Sequence, residues 1–326
     1  MNNLVMSHVM PASANPDVTN SAIEWLTAND GHRIPLRHWP VAAPRAVIHI
    51  VHGMAEHSGC YADVAASLNA AGYAVLAHDH RCHGLATQHD QLGNVGPQQH
   101  WAGVCHDMAT VNADIHHRYP ELPLILIGHS MGSFIAQYFA QQFPDQLNLL
   151  LLEGSSFEAP WFTSLASLLG GFESWRQGVN GRSPIIHALS FGGFNKVFKK
   201  PRTAFDWLSR DNEFVDRYVA DPLCGFQLSN GYWRDFVKGL SELYRPHSLK
   251  RLRPDLPIYL FSGDKDPVGH QGRGADSLAR ALRDVSGCRD VTLRLYPDAR
   301  HDILHETNHD EVLTDLLGWI KRHLAA

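Results

Sequence analysis

The stretch Leu124 to Gln142, LILIGHSMGSFIAQYFAQQ, decides how the rest of the chain is read. It begins as an apolar run rich in β-branched residues, the composition of a strand buried on both faces. The run stops at Gly128, and a helical pattern begins at once behind it. Ser130 therefore stands at a corner between a predicted strand and a predicted helix, with Gly128 and Gly132 on either side. The glycines leave room for strand and helix to approach closely, and the serine must turn in a strained backbone conformation. The helix N-terminus behind it favours developing negative charge. In this setting G-x-S-x-G presents a serine hydroxyl as a nucleophile. Without partners it would be a glycine-rich turn whose serine caps the helix.

Near neutral pH a serine hydroxyl needs a base, and the base needs a carboxylate to orient it. Behind such an elbow the chain order is Ser, then Asp or Glu, then His. YLFSGDKDPVGH offers Asp264 and Asp266 just beyond a predicted strand, and LYPDARHDILHE offers His301 just beyond the last one. Both segments leave the sheet at the carboxyl edge where Ser130 lies. Whichever of Asp264 and Asp266 is not the orienter is a turn former or cap. His301 is favoured over His305 because it directly follows the strand; His305 is placed in the following structure, at the surface. An oxyanion would need two backbone N–H groups, one after the serine and one from the loop after the third strand. These fall at Met131 and, in VHGMAEHS, at Met54, with Gly53 keeping the backbone accessible.

Strand and helix patterns alternate around this corner. AIEWLTA and RIPLRHW flank NDGH and predict a β-hairpin. RAVIHIVHG, YAVLAHD, LNLLLLE, LPIYLFSGDKD and VTLRLYPDARH predict further strands. YADVAASLNAAGY, residues 101–118, ADSLARALRDV and DEVLTDLLGWIKRHL predict helices among them. Such alternation predicts a mostly parallel sheet covered on both faces. Between about residues 155 and 250 the rhythm breaks, in a part carrying Trp161, Trp175, Trp207, Trp233 and many Phe. The expectation there is an inserted, mainly helical cap over one end of the sheet. The predicted division is a flexible arm over 1–20, a core over 21–154 and 251–326, and the cap over 155–250.

A chain of 326 residues suits one large α/β domain with such an insertion. Its net charge of −5 provides no basic field to hold nucleic acid. The five cysteines (Cys60, Cys82, Cys105, Cys224, Cys288) are scattered and lack CxxC spacing, which fits a reducing compartment. The first residues lack a basic flank before an apolar core, so no secretory signal is expected. No run approaches the roughly 18 apolar residues of a spanning helix. The reading is a soluble, cytoplasmic protein. HDHRCH (His78 to His83) gathers metal-ligand residue types, but no second cluster completes a ligand set, so no metal is expected.

VHGMAEHSGCY, AHDHRCHG, GHSMGS, SGDKDPVG and ARHDILHE, in this order and at these intervals, resemble the monoacylglycerol lipase and lysophospholipase branch of the α/β-hydrolases. The resemblance covers roughly residues 20–324, including WLSRDNEFVDRYVADPLCGF. It implies an α/β-hydrolase fold: a mostly parallel eight-stranded sheet flanked by helices, with an inserted, mainly helical cap. It implies Ser130 as nucleophile, Asp266 as orienter, His301 as base, and the Met54 and Met131 amides as oxyanion donors. Glu56 and His57 fall where the family contacts the substrate's polar end or shapes the entrance, or they order the loop by hydrogen bonds. His129 is read as a structural hydrogen-bonding residue behind the elbow. The implied activity is a serine esterase of lipid metabolism that cleaves carboxylic esters, foremost monoacyl lipids, through an acyl-enzyme and without a cofactor. Its partner is then a small acyl ester, with transient contact to a membrane surface.

Three departures matter. Cys60 stands where the family commonly has Arg, removing a charged donor for a headgroup. Cys82 replaces a glycine, which would reshape the loop if that position needs a positive φ. Ser133 replaces a second glycine with another small residue. In WFTSLASLLGGF, Trp161, Leu165, Leu168 and Phe172 recur at near-helical spacing; they either line an acyl tunnel or pack the cap onto the core. Two rival readings are an amidase or aminopeptidase of the same fold and a non-catalytic ligand-binding protein that keeps it.

Overall fold

The computed structural model describes residues 21–95, 100–157 and 160–325. The arm expected over 1–20 lies outside them. Eight strands, β1 (Ile23–Thr27), β2 (Arg33–Trp39), β3 (Val47–Val51), β4 (Ala74–His78), β5 (Leu124–His129), β6 (Leu149–Glu153), β7 (Ile258–Gly263) and β8 (Val291–Tyr296), form one sheet in the order β1-β2-β4-β3-β5-β6-β7-β8. β2 runs antiparallel to β1 and β4, and the other neighbouring pairs are parallel. This is the α/β-hydrolase architecture.

Every residue of β3 to β7 is buried, which is why these segments read as continuous apolar runs. Helices α1 (Ala62–Ala70) and α11 (His309–Leu324) cover one face, where Val64, Leu68, Leu316 and Trp319 pack with Ile50 and Ile127. The other face is covered by α2 (His100–Arg118), α3 (Met131–Gln142) and α10 (Arg273–Asp284), through Met108, Phe134, Phe139 and Leu278.

Between β6 and β7 the described residues contain helices and no strand: α4 (Pro160–Gln177), α5 (Pro184–Leu189), α6 (Phe191–Phe194), α7 (Asn212–Ala220), α8 (Asn230–Leu243) and α9 (Pro246–Leu249). Helix α8 joins the main core, since Tyr232, Phe236, Leu240 and Leu243 share one buried cluster with Trp101 and Phe134. The strand order β3-β5-β6-β7-β8 sets the carboxyl ends of five parallel strands side by side. Their following loops begin near Gly53, Ser130, Gly154, Asp264 and Pro297, at one rim.

Candidate active site

Ser130 follows β5 with φ 50° and ψ −120°, left-handed backbone that costs a non-glycine residue about 1–3 kcal/mol. Neighbouring hydrogen bonds hold it there. Its N–H donates to the Glu153 carbonyl at 2.9 Å, and its carbonyl accepts from Ser133 N–H at 2.9 Å and Ser133 Oγ at 2.6 Å. The small residue at 133 thus serves the turn directly. At Gly132 a Cβ would lie 2.0 Å from the Val51 carbonyl oxygen, so only glycine lets α3 start this close to β3.

Asp266 lies in the loop after β7 and is fully buried. Its Oδ1 accepts from Val268 N–H at 2.8 Å and sits 2.9 Å from His301 Nδ1. Because a carboxylate accepts, Nδ1 carries the proton, and the lone pair of His301 is on Nε2. That nitrogen is buried with no hydrogen-bond partner among the described residues. Asp264, by contrast, accepts the Asp298 N–H at 2.8 Å and shapes a surface turn. The His301 loop is gripped by the inserted segment. His301 N–H donates to Trp207 O at 3.4 Å, Asp302 N–H to Leu208 O at 2.8 Å, and the Trp207 ring lies 5.3 Å from the imidazole.

Ser130 and His301 line one cavity of about 260 Å³, together with Met54, Glu56, Met131 and a wall of Phe134, Phe191, Trp207, Trp233 and Leu240. Met131 opens α3, so its N–H has no acceptor within the helix. Gly53 fits beneath the serine, where a Cβ would come within 2.8 Å of His129 and 3.3 Å of Ser130 Cβ.

A family model, Hydrolase_4, described as serine aminopeptidase S33, matches residues 42–308. The chain belongs to this hydrolase family. It is 30% identical over 304 residues to the monoacylglycerol lipase of Mycolicibacterium smegmatis, covering 90% of this chain and 95% of that one. It is 28% identical over 330 residues to the human monoglyceride lipase, covering 97% of both. Among solved structures, a thermostable carboxyl esterase from Bacillus coagulans in complex with glycerol superposes with a TM-score of 0.84 at 26% identity, covering 93% of this chain and 98% of that one.

Beneath the cavity of this hydrolase lies a buried layer of charge. Glu56 accepts from Gly53 N–H and from Tyr61 OH (2.7 Å), and burial pushes its carboxyl up to about 7. Glu56 therefore both faces the cavity and orders its loop. His129 is buried 3.3 Å from Glu153, an ion-pair distance without hydrogen-bond geometry. Burial alone would lower its pKa, but Glu153 and Asp302 push it up to about 10.

His305, expected at the surface, is instead buried. Its Nδ1 is 2.8 Å from Asp302, its ring stacks on Phe214 at 4.4 Å, and Asp302 raises it to about 9 against the effect of burial. Asp302, Glu153 and Trp207 are site residues that pattern reading missed. Asp302 had one local signal, its place directly after His301; Glu153 and Trp207 had none.

The remaining expectations divide: His57 takes the loop-ordering role of its two readings, while the α4 stripe takes neither of its own. His57 does not line the Ser130 cavity: it caps the turn Ser58–Tyr61 and bonds Asp221 at 2.9 Å. Trp161 and Leu165 do not line it either. They are 71% and 60% exposed, and Leu168 and Phe172 are exposed with them. The stripe faces outward because the opposite face of α4, with Thr163, Gly170 and Glu173, is the buried one. Cys82 retains φ 66°, so the loop keeps a left-handed residue there without glycine.

His78 and His83 of HDHRCH pack with His49 and His52 as a buried neutral group. His49 lies 2.9 Å from His78, and His80 N–H donates to His52 Nε2 at 3.0 Å. Burial lowers His49 to about 4, His52 and His83 to about 3, and His78 well below its ordinary value.

These shifts set the pH dependence of stability. Below about pH 6.5 the unfolded chain binds protons that these four refuse, so stability falls as pH drops toward their folded values. Glu56, raised to about 7, works the other way between its ordinary value and neutrality, but it is one group against four. Above pH 6.5 the raised His129 and His305 hold protons that the unfolded chain has lost, so stability falls again toward about pH 9 to 10. The thermal midpoint should peak near neutrality and decline on both sides. A midpoint rising steadily from about pH 5 to about pH 9 would contradict this balance.

Proposed function

We propose that this chain hydrolyses carboxylic esters of monoacyl lipids through Ser130, His301 and Asp266. The observation that carries the reading is the meeting of Ser130 with an Asp266-oriented imidazole in one apolar cavity. His301 Nε2 takes the Ser130 proton as Oγ attacks the ester carbonyl, and the Met54 and Met131 amides receive the oxyanion. His301 then protonates the leaving alcohol, and water releases the acid by the same steps. Asp266 stays ionised and stabilises the imidazolium. No cofactor enters this sequence.

A cavity of about 260 Å³ is small for a ligand site and suits one acyl chain rather than several. The relatives named as monoacylglycerol and monoglyceride lipases support that substrate class. An aminopeptidase would need a carboxylate free to hold the substrate ammonium. Among the described residues Glu56 is the sole carboxylate on the cavity wall, and it is already engaged by Gly53 and Tyr61.

The exposed stripe Leu165, Leu168, Phe172 and Trp175 on α4 fits transient docking to a lipid surface, where a monoacyl substrate partitions. Leu189, 71% exposed, also lines the cavity and so places apolar surface at its mouth. No helix among the described residues is long and apolar enough to cross a membrane, so contact would be peripheral. The free cysteines suit a cytoplasmic enzyme.

One comparison tests these points together. Purified protein should cleave 1-monooleoylglycerol at least a hundredfold faster than aminoacyl p-nitroanilides. Leu165→Glu with Leu168→Glu should slow hydrolysis of vesicle-borne substrate several-fold while sparing a short soluble ester. Preference for the anilide would turn the reading to the amidase. Equal vesicle rates would remove the docking role.

A further inference from the structure

Cys60 and Cys224 are 164 positions apart in the chain, yet their sulfurs lie 3.6 Å from each other, in van der Waals contact. Cys60 sits in the turn Ser58–Tyr61, just after the loop that carries Met54 and Glu56. Cys224 follows α7 in the inserted segment. Three bonds already join the two sides here: Gly225 N–H and Tyr218 OH both donate to the Ala55 carbonyl, at 2.9 and 2.8 Å, and His57 pairs with Asp221 at 2.9 Å. A separate cavity of about 240 Å³, lined by both cysteines, His57 and Arg217, leads to this seam.

We propose that Cys60 and Cys224 form an oxidant-responsive thiol pair that closes reversibly to a disulfide across this seam. The two sulfurs are not equivalent. The contact between the two thiols holds Cys60 well below the usual thiol range and raises Cys224. Cys60 is therefore the attacking thiolate. It takes the terminal oxygen of a hydroperoxide, the O–O bond breaks, and the departing oxygen leaves as alcohol or water after taking up a proton. The Cys60 sulfenic acid is then attacked by the Cys224 sulfur, which gives up its proton. The S–S bond forms and water leaves. Two thiols lose two electrons and the hydroperoxide gains them. A thiol donor reverses the bond by exchange.

The same side chains also invite a metal reading, since His57, Cys60 and Cys224 place ligand atoms close together. Both ring nitrogens of His57 are already engaged, however: Nε2 by Asp221 at 2.9 Å and Nδ1 by Gly59 N–H at 3.1 Å. A metal would have to break one of these, whereas the disulfide needs neither.

The test treats full-length protein with hydrogen peroxide and maps it without reduction. Expected are loss of two of the five free thiols, a peptide pair joining Cys60 to Cys224, recovery with dithiothreitol, and a thermal midpoint raised by a few degrees in the oxidised form. Cys60→Ser and Cys224→Ser should each abolish the cross-link; if either folds poorly, Cys224→Ala replaces it. Five thiols still titratable after peroxide would overturn the proposal. So would Cys60 sulfinic acid beside unmodified Cys224, or bound zinc that blocks oxidation. The readout is independent of ester turnover, so it stands or falls apart from the proposed reaction.

Discussion

Ser130→Ala should lower ester turnover roughly 10⁴- to 10⁶-fold, with KM nearly unchanged, because substrate still enters the same cavity while no oxygen remains to attack. The fold should survive. Alanine keeps the Cβ, and the bonds that hold the turn use backbone atoms of residue 130 and the Ser133 hydroxyl. His301→Ala should cost a similar factor, since the base and the nucleophile act as one unit. Combining the two should therefore add little. Steady-state hydrolysis of a p-nitrophenyl ester, with fluorophosphonate labelling as a second readout, checks both. A Ser130→Ala enzyme that turns over at the wild-type rate would end the nucleophile assignment. Wild-type protein that fails to label would favour the non-catalytic reading.

Gly132→Ala should be among the most damaging single methyls in the active-site region. The added Cβ would meet the Val51 carbonyl oxygen at 2.0 Å and that of His52 at 2.5 Å, and both are backbone of the strand end that leads to Met54. Neither can swing aside as a side chain could. Helix α3 must retreat, pulling Met131, Phe134 and Phe139 out of register with the core. A loss of roughly 3 kcal/mol or more is expected, a large share of the stability of an ordinary domain. Gly171→Ala provides the contrast. It lies within α4 with nothing within 4 Å of the added atom, and should gain about 0.5–1 kcal/mol from the helix preference of alanine. Thermal or urea midpoints of the two variants measure the difference. If they move together, the close approach at Gly132 is not what the elbow demands.

The parts of the site that pattern reading reached are those with a local signature. The corner at Ser130 is marked by its own neighbours, from the apolar run before it to the glycine after it. Asp266 and His301 each directly follow a strand-like run, so their place at the carboxyl rim follows from strand direction alone. The preference for His301 over His305 rests on the same strand direction, and His301 is the one that lies against Asp266. The true setting of His305 was not, because its partners Asp302, Phe214 and the Cys60 carbonyl come from three separate segments. The apolar stripe of α4 shows how periodicity misleads. Spacing identifies a face on a helix but not which way that face points. Here Leu165 and Leu168 look outward, while the cavity wall is built by Phe191, Trp207, Trp233 and Leu240 from elsewhere.

The positions of strands and helices and the side chains proposed to react are thus written in short windows of residues, because periodic burial and a tight turn are near-neighbour effects. Which face of the insertion meets the core, where the charged layer lies beneath the cavity, and which cysteines touch are settled only by folding. Those contacts join segments far apart in the chain, and their energies depend on burial that no local window contains.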